Sequence, residues 1–318
     1  RACELLLKTP VAKEKEAAHS TPLPTTAKNF RLEDNLGGSH ELYRMKDAKA
    51  IVLYFQGNGC PIVRKSIPEI KAIRDEFGPK GIEFFMINAN PLDDKKSIEE
   101  EAKEFAIDIP IMMDTAQIVT LDLGTKRTAE AIVIVPDGWK IVYRGAISDR
   151  QEYGFERPKP EHDWLRNALN AVLEGKGPEV KSSETKGCLI DLKEMPKKIS
   201  YSRHIAPLLE KNCASCHVEG NIGPFAMDSY ENVAGRKRMV REVLLTQRMP
   251  PWHADPYHAK FKNNNSLTRD ELRTVVAWLD ADAPRGGDKD PLLKLAVADA
   301  GPVWPMGKPD VIISMPKP

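Results

Sequence analysis

A run of six apolar residues, Ala50-Ile51-Val52-Leu53-Tyr54-Phe55, constrains the fold of this chain more than any other stretch. A strand with one wet face alternates apolar and polar side chains, whereas an unbroken β-rich run of this length reads as a strand covered on both faces. The run ends at Gly57-Asn58-Gly59-Cys60-Pro61. Beyond the glycines, Ile62, Ile67, Ile70 and Ile73 recur at near-helical spacing up to Phe77. Pro61 suits a first helical turn, where its missing N–H is no loss. Cys60 is thereby predicted at a helix N-terminus, where unpaired amides and the helix dipole favour the thiolate, the reactive form of cysteine.

Strand and helix signals then alternate. Ile82 to Asn88 reads as a strand, Lys95 to Phe105 as a charged helix, Ile109 to Met112 as a short strand, and Ile118 opens a short helix. Ala131–Val135 and Lys140–Arg144 read as strands joined by Pro136-Asp137-Gly138-Trp139, whose Asp-Gly is a hairpin signal, and a closing helix spans His162–Leu173. An α/β domain over residues 29–173 follows. Residues 1–28 are polar and aperiodic and read as a tether. Cys3, two residues too late for a processed lipid-anchor thiol, reads as an exposed or incidental one.

The whole chain has 318 residues, enough for a second domain. Residues 174–199, rich in Lys, Gly, Pro and Ser, read as a linker carrying Cys188. Past it stands Cys213-Ala214-Ser215-Cys216-His217, a C-x-x-C-H run. Two thiols at this spacing can bond the two vinyl groups of one porphyrin while the adjacent histidine reaches the iron, so the run reads as a site for one covalent haem c. A thioredoxin-type redox pair would sit in a βαβ setting, and a zinc site would need a second ligand pair. Ser202 to Leu209 begins a helix that delivers Cys213. A helix is predicted from Tyr230 to Gln247, and a last one from Thr268-Arg269-Asp270-Glu271, a capping-box pattern, through Leu279.

Composition limits the partners. Lys and Arg number 47 against 46 Asp and Glu, so the charge balance gives no reason to expect nucleic acid. No apolar run approaches the ~20 residues of a transmembrane segment. Covalent haem attachment implies a periplasmic or otherwise extracytoplasmic setting, where thiol pairs tend towards disulfides.

Residues from about 30 to 192 resemble the thioredoxin-like branch of the alkyl hydroperoxide reductase and thiol-specific antioxidant family. The likeness is carried by Cys60-Pro61-Ile62-Val63-Arg64-Lys65, Ile87-Asn88-Ala89-Asn90, Arg127-Thr128-Ala129-Glu130, Tyr143-Arg144-Gly145 and Gly187-Cys188-Leu189-Ile190. It implies a thioredoxin fold. Three departures accompany it: Val63 replaces a second local cysteine, Gly57 stands where a peroxidatic site has a hydroxyl residue, and Ala129 replaces a cis-proline. The resemblance pairs Cys60 with Cys188. Three readings stay open: an attacking Cys60 resolved by Cys188, a permanent disulfide stapling residues 174–192 to the domain, or inert thiols.

Residues 200–284 resemble class I cytochromes c, through the order helix, C-x-x-C-H, helix, Met249-Pro250 loop and final helix. The likeness implies an all-α cytochrome c domain in which His217 is the proximal iron ligand, the Pro224 carbonyl accepts its other ring proton, and Met249 is the distal ligand. Met227, Met239, His253 and His258 are rivals for that last position. The Pro- and Gly-rich tail, residues 285–318, is similar to tails that run into a copper-dependent monooxygenase-like domain, which leaves room for this chain to be a fragment of a longer one. Together the two halves read as a redox protein coupling a thiol/disulfide site to one-electron transfer through the haem, with a redox partner protein and a thiol or peroxide substrate. The alternatives are an electron-transfer cytochrome whose thioredoxin-like half is a structural or docking module, and a thiol peroxidase fed by the haem.

Overall fold

A computed structural model describes residues 22–251, 261, 262, 264–287, 289–296, 310 and 311. Cys3, His253, His258 and residues 288, 297–309 and 312–318 of the tail lie outside the described residues. The first strands, β1 (Arg31–Glu33) and β2 (Ser39–Glu41), form a small antiparallel pair that the sequence pattern did not announce. The expected buried strand follows as β3 (Ala50–Gln56), leading into α1 (Pro61–Phe77), β4 (Ile82–Asn88), α2 (Lys95–Glu104), β5 (Ile111–Met113) and α3 (Ile118–Leu123). Strands β6 (Ala131–Val135) and β7 (Lys140–Gly145), a minute hairpin of β8 (Gln151–Glu152) and β9 (Phe155–Glu156), and α4 (Trp164–Leu173) complete this half.

The five-stranded sheet runs in the order β5-β4-β3-β6-β7, with β3, β4 and β5 parallel and β6 and β7 antiparallel. Its centre explains the apolar run. Ala50, Val52 and Tyr54 face a core built with α1, α2 and α4, while Ile51, Leu53 and Phe55 face a second core with Phe30, Leu42, Val119 and Leu123. Both faces of β3 are dry, so no position in it can be polar without a partner.

The second half gathers four helices, α5 (Ala206–Asn212), α6 (Tyr230–Ala234), α7 (Lys237–Leu245) and α8 (Arg269–Asp280), with a short α9 (Leu293–Ala296). They pack around the fully buried Trp278, which stacks on Tyr201 and donates its indole N–H to Pro284 O at 2.9 Å. Thr268 and Glu271 form the expected capping box at the start of α8. One expectation is corrected: the helix predicted from Tyr230 to Gln247 is two helices. Gly235 and Arg236 end the first, and Arg236 leaves helical geometry to cap the second. Met239, read on the apolar face of that helix, is 41% exposed.

Two stretches expected to be connectors are built into the α/β half. Part of the tether pairs with the edge of the sheet, Ile141 N–H donating to Thr25 O and Ala27 N–H to Trp139 O, each at 2.8 Å. The linker runs along the same edge strand, farther along β7: Arg144 N–H donates to Lys181 O and Ser183 N–H to Arg144 O, and residues 187–190 form a further edge beside 126–128. Among the described residues no helix is long and apolar enough to cross a membrane.

Candidate active site

Cys60 closes the turn between β3 and α1 and is the N-cap of α1, as its flanking glycines and Pro61 predict. Its side chain is 3% exposed. Two side chains meet its sulfur, Thr128 Oγ1 at 3.1 Å and Cys188 Sγ at 2.9 Å, and the main-chain amides of Val63 and Cys188 lie where they favour a thiolate. Burial pushes a thiol up, because a thiolate loses water, but here the hydrogen bonds from Cys188, Thr128 and Val63 outweigh it. The Cys60 thiol is held below its ordinary range. Its partner goes the other way. Burial, the shared hydrogen bond and the neighbouring Cys60 charge push Cys188 up to about 11. The pair is chemically unequal, one sulfur poised as thiolate and the other as proton donor.

Cys188 reaches this position on a strap that pairs with the edge of the domain. Thr128 N–H donates to Cys188 O and Cys188 N–H to Thr128 Oγ1, both at 2.9 Å; Ile190 N–H donates to Lys126 O at 3.0 Å, and Arg127 Nη1 to Gly187 O at 2.9 Å. Gly187 is needed there, since a Cβ on it would fall 1.7 Å from Thr128 O. Cys188 itself is exposed, so the strap lies over Cys60 and separates it from solvent.

Below the Cys60 turn lies a set of buried polar groups. Asp93 Oδ2 accepts from Asn58 N–H at 2.9 Å and from Asn88 Nδ2 at 2.8 Å, and Gln56 bonds both Asn58 and Asn88. Glu101 takes the Arg64 guanidinium in a bidentate pair at 2.8 and 2.6 Å and accepts from Gly59 N–H at 3.1 Å. Despite burial, those partners hold the Glu101 carboxyl below its usual range, so it is an anion that fixes the turn. The Cys60 N–H is taken by Gly57 O. Ala129, in the place of the expected proline, has φ of +59° and donates its N–H to Phe55 O at 2.7 Å, which turns the backbone so that Thr128 faces Cys60.

The second cysteine pair stands at the end of α5, with Cys213 as C-cap. His217 is 7% exposed, and its Nδ1 lies 2.9 Å from Phe225 O. This corrects the expected partner: the carbonyl is that of Phe225, one residue beyond Pro224, because the turn after the motif brings Gly223 N–H to Cys216 O and Met227 N–H to His217 O. Gly223 packs flat on the ring, an added Cβ lying 2.7 Å from His217 Nδ1. Among the described residues the other ring nitrogen, Nε2, makes no hydrogen bond. Burial and the neighbouring Cys216 charge push the Cys213 thiol up to about 11. Met249 lines a cavity of about 500 Å³ between the two halves, beside Met113, Leu244 and Leu272, and none of Cys213, Cys216 or His217 lines that cavity. Met227 is buried in the helical core.

The profile of the Redoxin family matches residues 22–161. That match covers most of the α/β half. No curated protein matches the chain. Among solved structures it is similar to a hypothetical protein from Sinorhizobium meliloti, 26% identical over 55% of this chain and 96% of the other, with a TM-score of 0.49. An uncharacterised conserved protein from Geobacillus kaustophilus is 29% identical over 55% of this chain and 94% of its own, again with a TM-score of 0.49. The thioredoxin domain of a thiol-disulfide oxidoreductase from Bacteroides vulgatus is 16% identical over 48% and 99%, with a TM-score of 0.37.

The thiol site of the α/β half draws on residues that carry no signal of their own in the sequence. Thr128 stands in the sequence only as one residue of the Arg127-Thr128-Ala129-Glu130 stretch, and its contacts with Cys60 and Cys188 cross 68 and 60 positions. Glu101 reads as one acid in Glu99-Glu100-Glu101; only its place beside Ile98 and Ala102 on the buried face of α2 sets it apart. Nothing local marks Asp93.

Proposed function

We propose that the chain is a thiol–disulfide oxidoreductase in which Cys60 is the attacking thiolate and Cys188 the resolving thiol, joined to a monohaem cytochrome c domain. The observation that carries the first part is the unequal pair, two sulfurs 2.9 Å apart with Cys60 held low and Cys188 at about 11. In the reducing direction the Cys60 thiolate attacks a substrate disulfide, forming a Cys60–substrate bond and releasing one substrate sulfur as thiolate, which takes a proton. Cys188 then gives up its proton and attacks Cys60 Sγ, expelling the second substrate sulfur. Two electrons pass to the substrate and one protein disulfide forms. The strap must lift to admit the substrate and return to resolve it.

Peroxide reduction fits the site less well. A departing hydroxide needs free donors, and the amides of Asn58, Gly59 and Cys60 are committed to Asp93, Glu101 and Gly57 O while Arg64 is committed to Glu101.

The residues around Cys213 suit a covalent haem. Cys213 and Cys216 would bond the porphyrin, and His217 would present Nε2 to the iron with its ring fixed through Nδ1 by Phe225 O. Met249 is the distal ligand that the resemblance implies, and it stands on the wall of a cavity that these three residues do not line. Such a group supplies one-electron transfer when bound. With it goes an extracytoplasmic setting and a redox partner protein.

The thiol reading is tested by mixing Cys188→Ser with a peptide disulfide and weighing the intact protein. A Cys60-linked adduct should accumulate in Cys188→Ser and be absent in Cys60→Ser; an adduct on neither variant would refute the assignment. For the haem, mass retained under denaturing conditions should be lost on changing Cys213 and Cys216 to Ser.

A further inference from the structure

The strap that carries Cys188 is held at its far end by the helical half of the molecule. Gln117, on the turn after β5, donates Nε2 to Asp191 O at 2.8 Å and accepts from Lys193 N–H at 2.9 Å. Its Nε2 also donates to Ala89 O at the end of β4. Arg273, from α8, closes the arrangement: Nη2 donates to Lys193 O at 2.6 Å and Glu194 O at 3.1 Å, and Nη1 donates to Ala116 O. One planar guanidinium therefore ties the strap to the turn beside it.

Arg273 is unusual among the cations at this boundary. It is 4% exposed, and its hydrogen bonds run to main-chain carbonyls alone. Arg241, the other bridging cation, has carboxylates on both sides, Asp122 at 2.7 Å and Asp280 at 2.7 Å. A buried guanidinium satisfied only by carbonyls is a costly way to glue two surfaces, and an apolar side chain would serve adhesion as well. What the fork supplies is geometry, because five N–H groups in one plane fix the direction of each carbonyl they meet.

We infer that Arg273 is a positioning residue for the thiol chemistry: acting from the helical half, it fixes the strap and so sets the effective concentration of Cys188 at Cys60. The inference rests on the thiol–disulfide reading above. It makes the second half of the molecule part of the thiol site, because removing the clamp leaves residues 191–194 on the Gln117 hydrogen bonds and Cys188 on the 126–128 edge.

The test uses the full chain equilibrated with mixtures of reduced and oxidised glutathione. The reaction is balanced, two protein thiols and one oxidised glutathione giving one protein disulfide and two reduced glutathiones. The disulfide fraction is read by alkylation and mass. Arg273→Met is expected to lower the equilibrium constant for the Cys60–Cys188 disulfide by roughly 10-fold or more, with Arg273→Lys in between. Arg241→Met, which breaks the other bridge without touching the strap, should stay within about 2-fold of the parent. Amide hydrogen exchange should show lost protection at Ile190 and Lys193 in Arg273→Met and unchanged protection in β3 and β4. Should Arg273→Met not fold, Arg273→Lys is read alone. Unchanged equilibria in the folded Arg273 variants, or an equal loss in Arg241→Met, would overturn the clamp. A parent chain that forms no Cys60–Cys188 disulfide at any glutathione ratio would instead overturn the thiol reading itself.

Discussion

The two cysteine pairs of this protein stand in opposite chemical settings. Cys60 and Cys188 are 128 positions apart and meet through the tertiary fold, whereas Cys213 and Cys216 share one turn. Burial raises the thiols of Cys60 and Cys213 alike. Only at Cys60 do a hydroxyl, a second thiol and a helix N-terminal amide offset it, so Cys60 falls below the ordinary range while Cys213 sits at about 11. The difference shows that reactivity is conferred by directed donors rather than by burial. It also suits each pair to its proposed task, since Cys60 must attack in free solution and Cys213 must be inert except towards a porphyrin.

The largest effect is expected at the nucleophile. Cys60→Ser should lower the rate of disulfide exchange with a peptide substrate by about 1,000-fold or more, the scale expected when a covalent nucleophile is lost. Loss of Cys213 and Cys216 should leave that rate within about 2-fold, as expected for distant, independent sites.

A pH profile sharpens it next. Alkylation of Cys60 should follow thiolate formation with a midpoint below the ~8.5 of an ordinary cysteine. In chain prepared without haem, Cys213 should titrate near 11. The sign follows from the donors: groups that hydrogen-bond the thiolate lower the midpoint, and removing one raises it. Thr128→Val removes the Oγ1 donor at 3.1 Å and the acceptor of the Cys188 N–H together. The Cys60 midpoint should rise, and alkylation at pH 7 should fall roughly 10-fold, the scale of a single hydrogen bond to a charged group. A midpoint that does not move would mean that Cys188 and the helix N-terminus set the thiolate without Thr128. The smallest effect is expected at Glu101→Gln, where the amide keeps some contacts with Arg64 and Gly59. Denaturant unfolding should register about 1 kcal/mol of lost stability, and the Cys60 midpoint should change little.

The sequence carried the local rules of both halves. The dry faces of β3 were legible in an unbroken apolar run, the placement of Cys60 in a Gly-Asn-Gly-Cys-Pro turn, the capping box of α8 in Thr268 and Glu271, and the second cysteine pair in five consecutive residues. Each depends on spacing along a helix, strand or turn, which neighbouring residues fix by themselves. Reading failed where a local signal competed with packing. Gly235 and Arg236 split a helix that periodicity continues, and the His217 partner shifted from Pro224 to Phe225 because a carbonyl's direction depends on how the whole turn closes.

The working site is assembled by long-range packing: Thr128 beside Cys60, Glu101 and Asp93 beneath its turn, and Cys188 on a strap that the sequence presents as linker. Arg273 belongs to the same group, reaching the strap across about 80 positions. The physical reason is common to all of them. A hydrogen bond between residues far apart in the chain leaves no periodicity, because the fold that brings them together is fixed by the burial of other side chains.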